Sequence, residues 1–260
     1  DTSGSTYFQF PTTTGTSGQV LQVPSSGNIL EWATGIGIDH FVDTSAGTTL
    51  VGHSAAPSGT ATLNTSLGTK SLRALTEGDQ NTAVGHIAGG SITEGSSNVA
   101  IGARTLENLT TGNYNIAIGD YAMQDDDTGS NNIAIGYEAA MDMNGASGLT
   151  IVGYNAGKAL QTGSSNTLIG NRAGSGITTG SNNTAVGSGA LQTEDAGVDN
   201  VAIGVNALGI LNAGTGGGNT VVGSQACKFM TTGVENTIIG GYAGNSLVDG
   251  TRNVAIGYQA

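Results

Sequence analysis

NVAIGARTLENLTTGNYNIAIG, residues 98–119, contains one phrase twice: an asparagine, a β-branched residue, alanine, isoleucine and a glycine, the two glycines (Gly102 and Gly119) lying 17 residues apart. Outward from this stretch the phrase recurs as TLVG, TSLG, TAVG, VAIG, IAIG, IAIG, TIVG, TLIG, TAVG, VAIG, TVVG, TIIG and VAIG. These end at Gly52, Gly68, Gly85, Gly102, Gly119, Gly136, Gly153, Gly170, Gly187, Gly204, Gly223, Gly240 and Gly257. Ten of the twelve intervals are 17 residues; Gly52 to Gly68 is 16 and Gly204 to Gly223 is 19. Self-similarity at a short fixed period signals stacked units that bury apolar surface only against their neighbours. The expected fold is therefore all-β: a parallel β-solenoid (β-roll) of about 13 coils over residues 46–260, preceded by a hairpin segment in residues 1–45.

Composition supports this reading. Glycine supplies 45 of 260 residues without the every-third-residue spacing of collagen, which leaves disorder or a solenoid that turns at fixed positions. Hydrophobic residues make up 37% and keep register with the repeat, which a disordered chain has no reason to do. A net charge of −12 with only seven Lys and Arg argues against a nucleic-acid partner and suits a salty or extracellular setting. The lone Cys227 excludes a disulfide framework and a cysteine-rich metal site. No run approaches the roughly 18 to 20 apolar residues that span a bilayer, so no membrane insertion is expected. The chain begins at Asp1 without a basic and apolar leader, and reads as a processed form or a fragment.

Numbering each unit from its final glycine as 0, position −1 is always Val, Ile or Leu and position −3 is Thr, Val or Ile. Two β-branched columns two residues apart require a strand. Position −2 is often alanine. The expectation is that the bulky −1 column is buried inside the coil, and that the small −2 face lies against a second wall or another chain. Position −4 is asparagine at Asn64, Asn81, Asn98, Asn115, Asn132, Asn166, Asn183, Asn200, Asn219, Asn236 and Asn253, interrupted once by Leu149. Stacked amides bond the copy above and below, so this column reads as a structural ladder. A small residue at +3 and a second glycine at +10 suggest two strand-like segments and two glycine turns per coil.

Units such as NVAIGARTL and NIAIGDYAM resemble the head repeats of trimeric autotransporter adhesins of the YadA type, and the longer unit with TTG is similar to repeats of phage tail-fibre and bacterial surface-fibre proteins. The resemblance covers about residues 46–260. It implies a left-handed parallel β-roll, assembly into a homotrimer, and a role in attachment.

Residues 1–45 follow another grammar. Residues 19–23 and 28–32, separated by Pro24 to Gly27, read as a hairpin, and FPTTTGTSGQVLQV…ILEWATG is similar to short tail-fibre modules. Tyr7, Phe8, Phe10 and Trp32 are candidate assembly residues. They would cover the open coil ending at Ala260 in the next copy of a head-to-tail polymer.

Chemistry is sparse. His53 and His86 share a column two coils apart, and His40 stands alone, so no metal site is expected. Asp125, Asp126 and Asp127 read as a solvated turn. No paired carboxylates or nucleophile motif recurs, so no enzyme activity and no cofactor are expected. Tyr121, Tyr137, Tyr154, Tyr242 and Tyr258 follow repeat glycines and are candidates for surface contact with a glycan, a receptor or a neighbouring filament. The leading expectation is a non-enzymatic structural or adhesive fibre protein, extracellular on a cell surface or virion. The alternatives are a self-polymerising extracellular filament, a polysaccharide-degrading tailspike, and an ice-binding solenoid suggested by the −3 threonines.

Overall fold

The computed structural model describes residues 60–260 throughout, and before them the backbone of four strands: β1 (Val20–Gln22), β2 (Glu31–Ala33), β3 (His40–Asp43) and β4 (Thr48–Val51). β1 and β2 form an antiparallel pair with Val20 opposite Ala33, and β3 pairs antiparallel with β4. The repeats then supply β5 (Thr65–Leu67), β6 (Thr82–Val84), β7 (Val99–Ile101), β8 (Ile116–Ile118), β9 (Ile133–Ile135) and β10 (Thr150–Val152). β11 (Thr167–Ile169), β12 (Thr184–Val186), β13 (Val201–Ile203), β14 (Thr220–Val222), β15 (Thr237–Ile239) and β16 (Val254–Ile256) complete the series. From β4 onward every strand pairs in parallel with the next, in register, Ala100 against Ala117 and Ala117 against Ala134. The twelve strands β5–β16 wind a β-solenoid of about 11 turns, and at ~4.8 Å per step their sheet is about 53 Å long.

Each coil has one strand, not two. The second strand-like segment is replaced by turns, with isolated bridges only at Val198–Gly217 and Val234–Thr251 among the described residues. The reason lies in the dihedrals. Non-glycine residues take left-handed φ at −5, +2 and +4 in coil after coil, for example Tyr114 (59°), Tyr121 (62°) and Met123 (50°), which bends the chain too often for a second strand.

The interior is the reverse of the expectation for −1. The −2 side chains point inward and are fully buried, from Ala83 through Ala117 and Ile151 to Ile238, whereas the −1 side chains face out: Ile101 is 37% exposed, Ile135 36% and Ile239 40%. What makes −2 the inner column is a size trade with +4. Where −2 is alanine, +4 is usually large (Ala100 with Leu106, Ala117 with Met123, Ala185 with Leu191, Ala202 with Leu208). Where −2 is large, +4 is glycine (Ile151 with Gly157, Leu168 with Gly174, Ile238 with Gly244). A methyl group on Gly157 would stand 3.0 Å from both Ile151 Cδ1 and Leu168 Cδ1. The two positions share one volume, so a large side chain at one leaves no room for a large one at the other; Ala83 with Gly89 and Ala134 with Ala140 keep both small. A third core column at +7 (Leu75, Ile92, Leu109, Met143, Leu160, Ile177) fills the opposite wall, each side chain contributing roughly 2 kcal/mol.

Asparagines at −4 tie the walls together. Those from Asn64 to Asn236 are buried, and in the regular rungs the asparagine Oδ1 accepts from the backbone N–H of the next asparagine, as Asn98 does from Asn115 (3.0 Å), and from that residue's Nδ2 (3.0 Å). Its own Nδ2 donates across the coil to the +10 carbonyl, Asn115 to Gly129 (2.8 Å) and Asn81 to Gly95 (2.8 Å). Leu149, buried among the apolar columns, leaves Asn132 Oδ1 with the Leu149 N–H alone (3.1 Å). The repeat glycines are fixed by crowding: Gly119 has φ +127°, and a Cβ there would collide with the Gly136 carbonyl of the next coil.

Two outcomes test this account. Gly157→Leu should be strongly destabilising and Ile151→Ala should cost about 2–5 kcal/mol, while the double variant recovers most of the loss because it restores the alternative pairing; denaturant melts of the four chains check it. Tyr114 is 66% exposed at a left-handed position, so Tyr114→Asn should raise stability by about 1 kcal/mol, read in the same melts.

Candidate functional site: the outer sheet face

Because −2 turns inward, −3 and −1 form the outer face of the sheet. It carries Val99 and Ile101, Ile116 and Ile118, Ile133 and Ile135, Thr150 and Val152, and continues from β5 to β16 without a charged residue. β-propensity alone would allow threonine at both positions. Threonine does occur at −3 (Thr65, Thr82, Thr167, Thr184, Thr220, Thr237), yet −1 is Val, Ile or Leu in every coil. An apolar group at −1 in every coil, over about 53 Å, is more than a strand requires. Contiguous apolar faces of this kind mark interaction surfaces.

The tyrosines lie elsewhere, at +1 and +2. Tyr121 meets Tyr137 edge to face (6.0 Å between centroids), Tyr137 stacks on Tyr154 (5.6 Å, 12° between planes), and Tyr242 meets Tyr258 edge to face (5.9 Å). The structure thus brings the five together as two separate ladders, Tyr121–Tyr137–Tyr154 and Tyr242–Tyr258, whose rings remain partly exposed. Lys158 Nζ lies 2.6 Å from Glu138 Oε2, and this bond holds the Glu138 carboxyl below its ordinary value. His86 is exposed; the surroundings of His40 and His53 lie outside the described residues, as do Tyr7, Phe8 and Phe10, and the Trp32 side chain. The Ala260 carbonyl accepts from the Gly244 N–H (2.8 Å), beside a hollow of about 570 Å³ lined by Tyr242, Asn245 and Leu247. Cys227 is a core residue at +4, its thiol raised by burial to about 11. Among the described residues no group of three His, Cys, Asp or Glu side chains could hold a metal, and no helix is long and apolar enough to cross a membrane.

Asp126 is not part of a solvated turn. Asp125 and Asp127 are exposed, but Asp126 is fully buried and occupies +7, the position of Leu109 below and Met143 above. Glu194, also fully buried, occupies the same position between Ile177 and Leu211. In regular coils the +8 carbonyl of the next coil receives the +8 to +10 amides: Thr93 O accepts from Thr76, Glu77 and Gly78. Above Asp126 and Glu194 the next coil is irregular there, with Asn144–Gly145–Ala146 in one case and the longer 19-residue unit in the other. The carboxylates substitute for that carbonyl. Asp126 Oδ1 accepts from Gly129 N (3.0 Å) and Gly145 N (3.0 Å); Glu194 accepts from Asp195 N (3.1 Å) and Gly197 N (2.9 Å) through Oε1 and from Ala213 N (3.3 Å) through Oε2. Asp126 Oδ2 has no partner. The sequence signal for both was an acid in a column otherwise filled by Leu, Ile and Met.

No family model matches the chain, and neither a curated protein nor a solved structure does.

Burial raises the Asp126 carboxyl above the ordinary aspartate value, against the opposing bonds from Gly145 and Gly129. Between the two values the folded chain binds more protons than the unfolded one, so this group's contribution to stability falls as pH rises through its folded value. Asp126→Asn keeps the accepting oxygen and removes the buried charge. Its thermal midpoint should exceed that of the wild type at pH 7, the gap closing as pH falls into the ordinary aspartate range; melts of both chains across pH check it, and a gap that widens toward acid contradicts it.

Proposed function

We propose that this chain is a non-enzymatic fibre element, a β-solenoid that associates through its outer sheet face with further copies of itself and serves reach and attachment on a cell surface or virion. The carrying observation is the uncharged −3 and −1 face, continuous from β5 to β16. A partner must present apolar ridges at the same strand spacing over the same length, and another copy of this solenoid meets that demand. The order of side chains along the face is not symmetric end to end: Ile116, Ile118, Ile133 and Ile135 fill the rungs of β8 and β9, off the middle of the β5–β16 series, with threonines at −3 on either side (Thr65 and Thr82 before, Thr150 and Thr167 after). Parallel association therefore places like against like, and closed symmetry around a shared axis, the homotrimer implied by the repeat resemblance, covers the face on every copy.

A face of this kind also has outward threonines in about half its coils, which favours ice binding as the second reading; Val99, Ile116, Ile133 and Val201 interrupt that column. Replacing Ile118 and Ile135 together with glutamate puts two desolvated charges into the proposed contact. Sedimentation should show an oligomer for the wild type and a monomer for the double variant, with unchanged far-ultraviolet circular dichroism. A monomeric wild type would overturn the self-association, and thermal hysteresis by that monomer would support ice binding. Single-width head-to-tail filaments in negative stain, persisting in the variant, would favour end-on polymerisation.

A further inference from the structure

Asn144–Gly145 is the one Asn–Gly step in the chain, and the fold sets it directly on a buried base. Both residues are exposed, and Gly145 has φ +75°. The Asn144 N–H is held by the Gln161 carbonyl (2.9 Å). The Gly145 N–H donates to Asp126 Oδ1 at 3.0 Å, within the reach a general base needs, and Asp126 Oδ2 is buried without a partner. An asparagine followed by glycine has the parts that imide formation needs, and the carboxylate adds a placed base: the amide nitrogen is the nucleophile and the side-chain amide carries the leaving group.

We infer that Asn144 is a self-modification site at which Asp126 is the catalytic base. Asp126 Oδ1 takes the Gly145 N–H proton as the Gly145 nitrogen bonds to Asn144 Cγ. The Cγ–Nδ2 bond then breaks, and the departing nitrogen takes that proton back to leave as ammonia. The resulting five-membered succinimide is opened by solvent water at one of its two carbonyls. The product is aspartate or isoaspartate at 144, with no net redox change. Desolvation strengthens the base, because a carboxylate removed from water holds a proton more firmly.

The fold also supplies an internal comparison. Asn212–Ala213 repeats the arrangement over Glu194, Ala213 N donating to Oε2 at 3.3 Å with Asn212 exposed. There the nucleophile carries a Cβ that crowds ring closure, and the bond to the carboxylate is longer. Asn144 is therefore the faster site. Conversion there adds a negative charge beside Asp127 and, as isoaspartate, lengthens the main chain within the coil that already lacks an asparagine rung at Leu149. The stack thus carries a chemically timed weak point.

The purified full chain, incubated at neutral pH, is followed by peptide mapping with mass spectrometry for amide-to-acid conversion at residues 144 and 212 and by ammonia release. Expected is conversion at Asn144 with isoaspartate among the products, slower conversion at Asn212, and a rate at 144 reduced about a hundredfold in Asp126→Asn. That variant keeps the oxygen that positions Gly145, so a purely conformational effect of Asp126 leaves its rate unchanged. Should the variant lose its fold, the wild-type rate in deuterium oxide is read instead: slowing is expected from proton transfer. Absence of conversion at Asn144 in the wild type, an unchanged rate in folded Asp126→Asn, or no slowing in deuterium oxide overturns the inference.

Discussion

Everything in this solenoid hangs on a buried asparagine amide that must be shared between two coils. Its oxygen faces two donors of the next coil, and its nitrogen reaches a carbonyl 14 residues on in its own, as in Asn115 to Gly129. Buried without these partners, the amide would cost several kilocalories per mole; with them it clamps the strand to the far wall and sets the rise between coils. Once that rise is set, the glycines at 0 have no room for a side chain, and the −2 and +4 residues must share a limited volume. The glycine turns, the alanine-rich interior and the one-strand coil follow from the same constraint.

The period and class of the fold were legible in the repeat because each column must satisfy the same neighbours thirteen times. The direction in which the strand faces was not. Ile and Val at −1 look like core by composition, and alanine at −2 looks like a thin outer face, but the narrow coil can hold only a small group or a group whose opposite number is missing. The decisive signal was paired: Ala with Leu or Met six residues later, Ile or Leu with Gly. Read one column at a time, it is invisible. Asp126 was misread for a related reason, since its neighbours Asp125 and Asp127 are exposed and only the +7 column shows that the middle acid replaces a leucine. Glu194 is legible only in the same way, from its place in the +7 column between Ile177 and Leu211.

The inversion of the strand faces matters for the candidate site. With alanine inside, the apolar −1 side chains become the molecule's outward-facing surface, and the site is a repeating strip instead of a pocket with converging polar groups. The tyrosines form two ring-to-ring ladders on another side of the coil, separate from this strip. The two buried carboxylates are the places where the repeat tolerates an irregular neighbour, because an acid side chain can bring its own acceptor to amides that the next coil has abandoned.

Almost every tie between coils joins residues one period apart, as Asn81 to Asn98 or Thr82 to Val99. Closing a 17-residue loop costs about 2.5 kcal/mol plus a constant, and the next coil costs the same. Ordering the chain is therefore a zipper whose difficulty does not grow with its length. A globular domain that doubled in size would have to bring ever more distant segments together, whereas this architecture grows by equal steps, so the number of repeats sets its reach without burdening its folding.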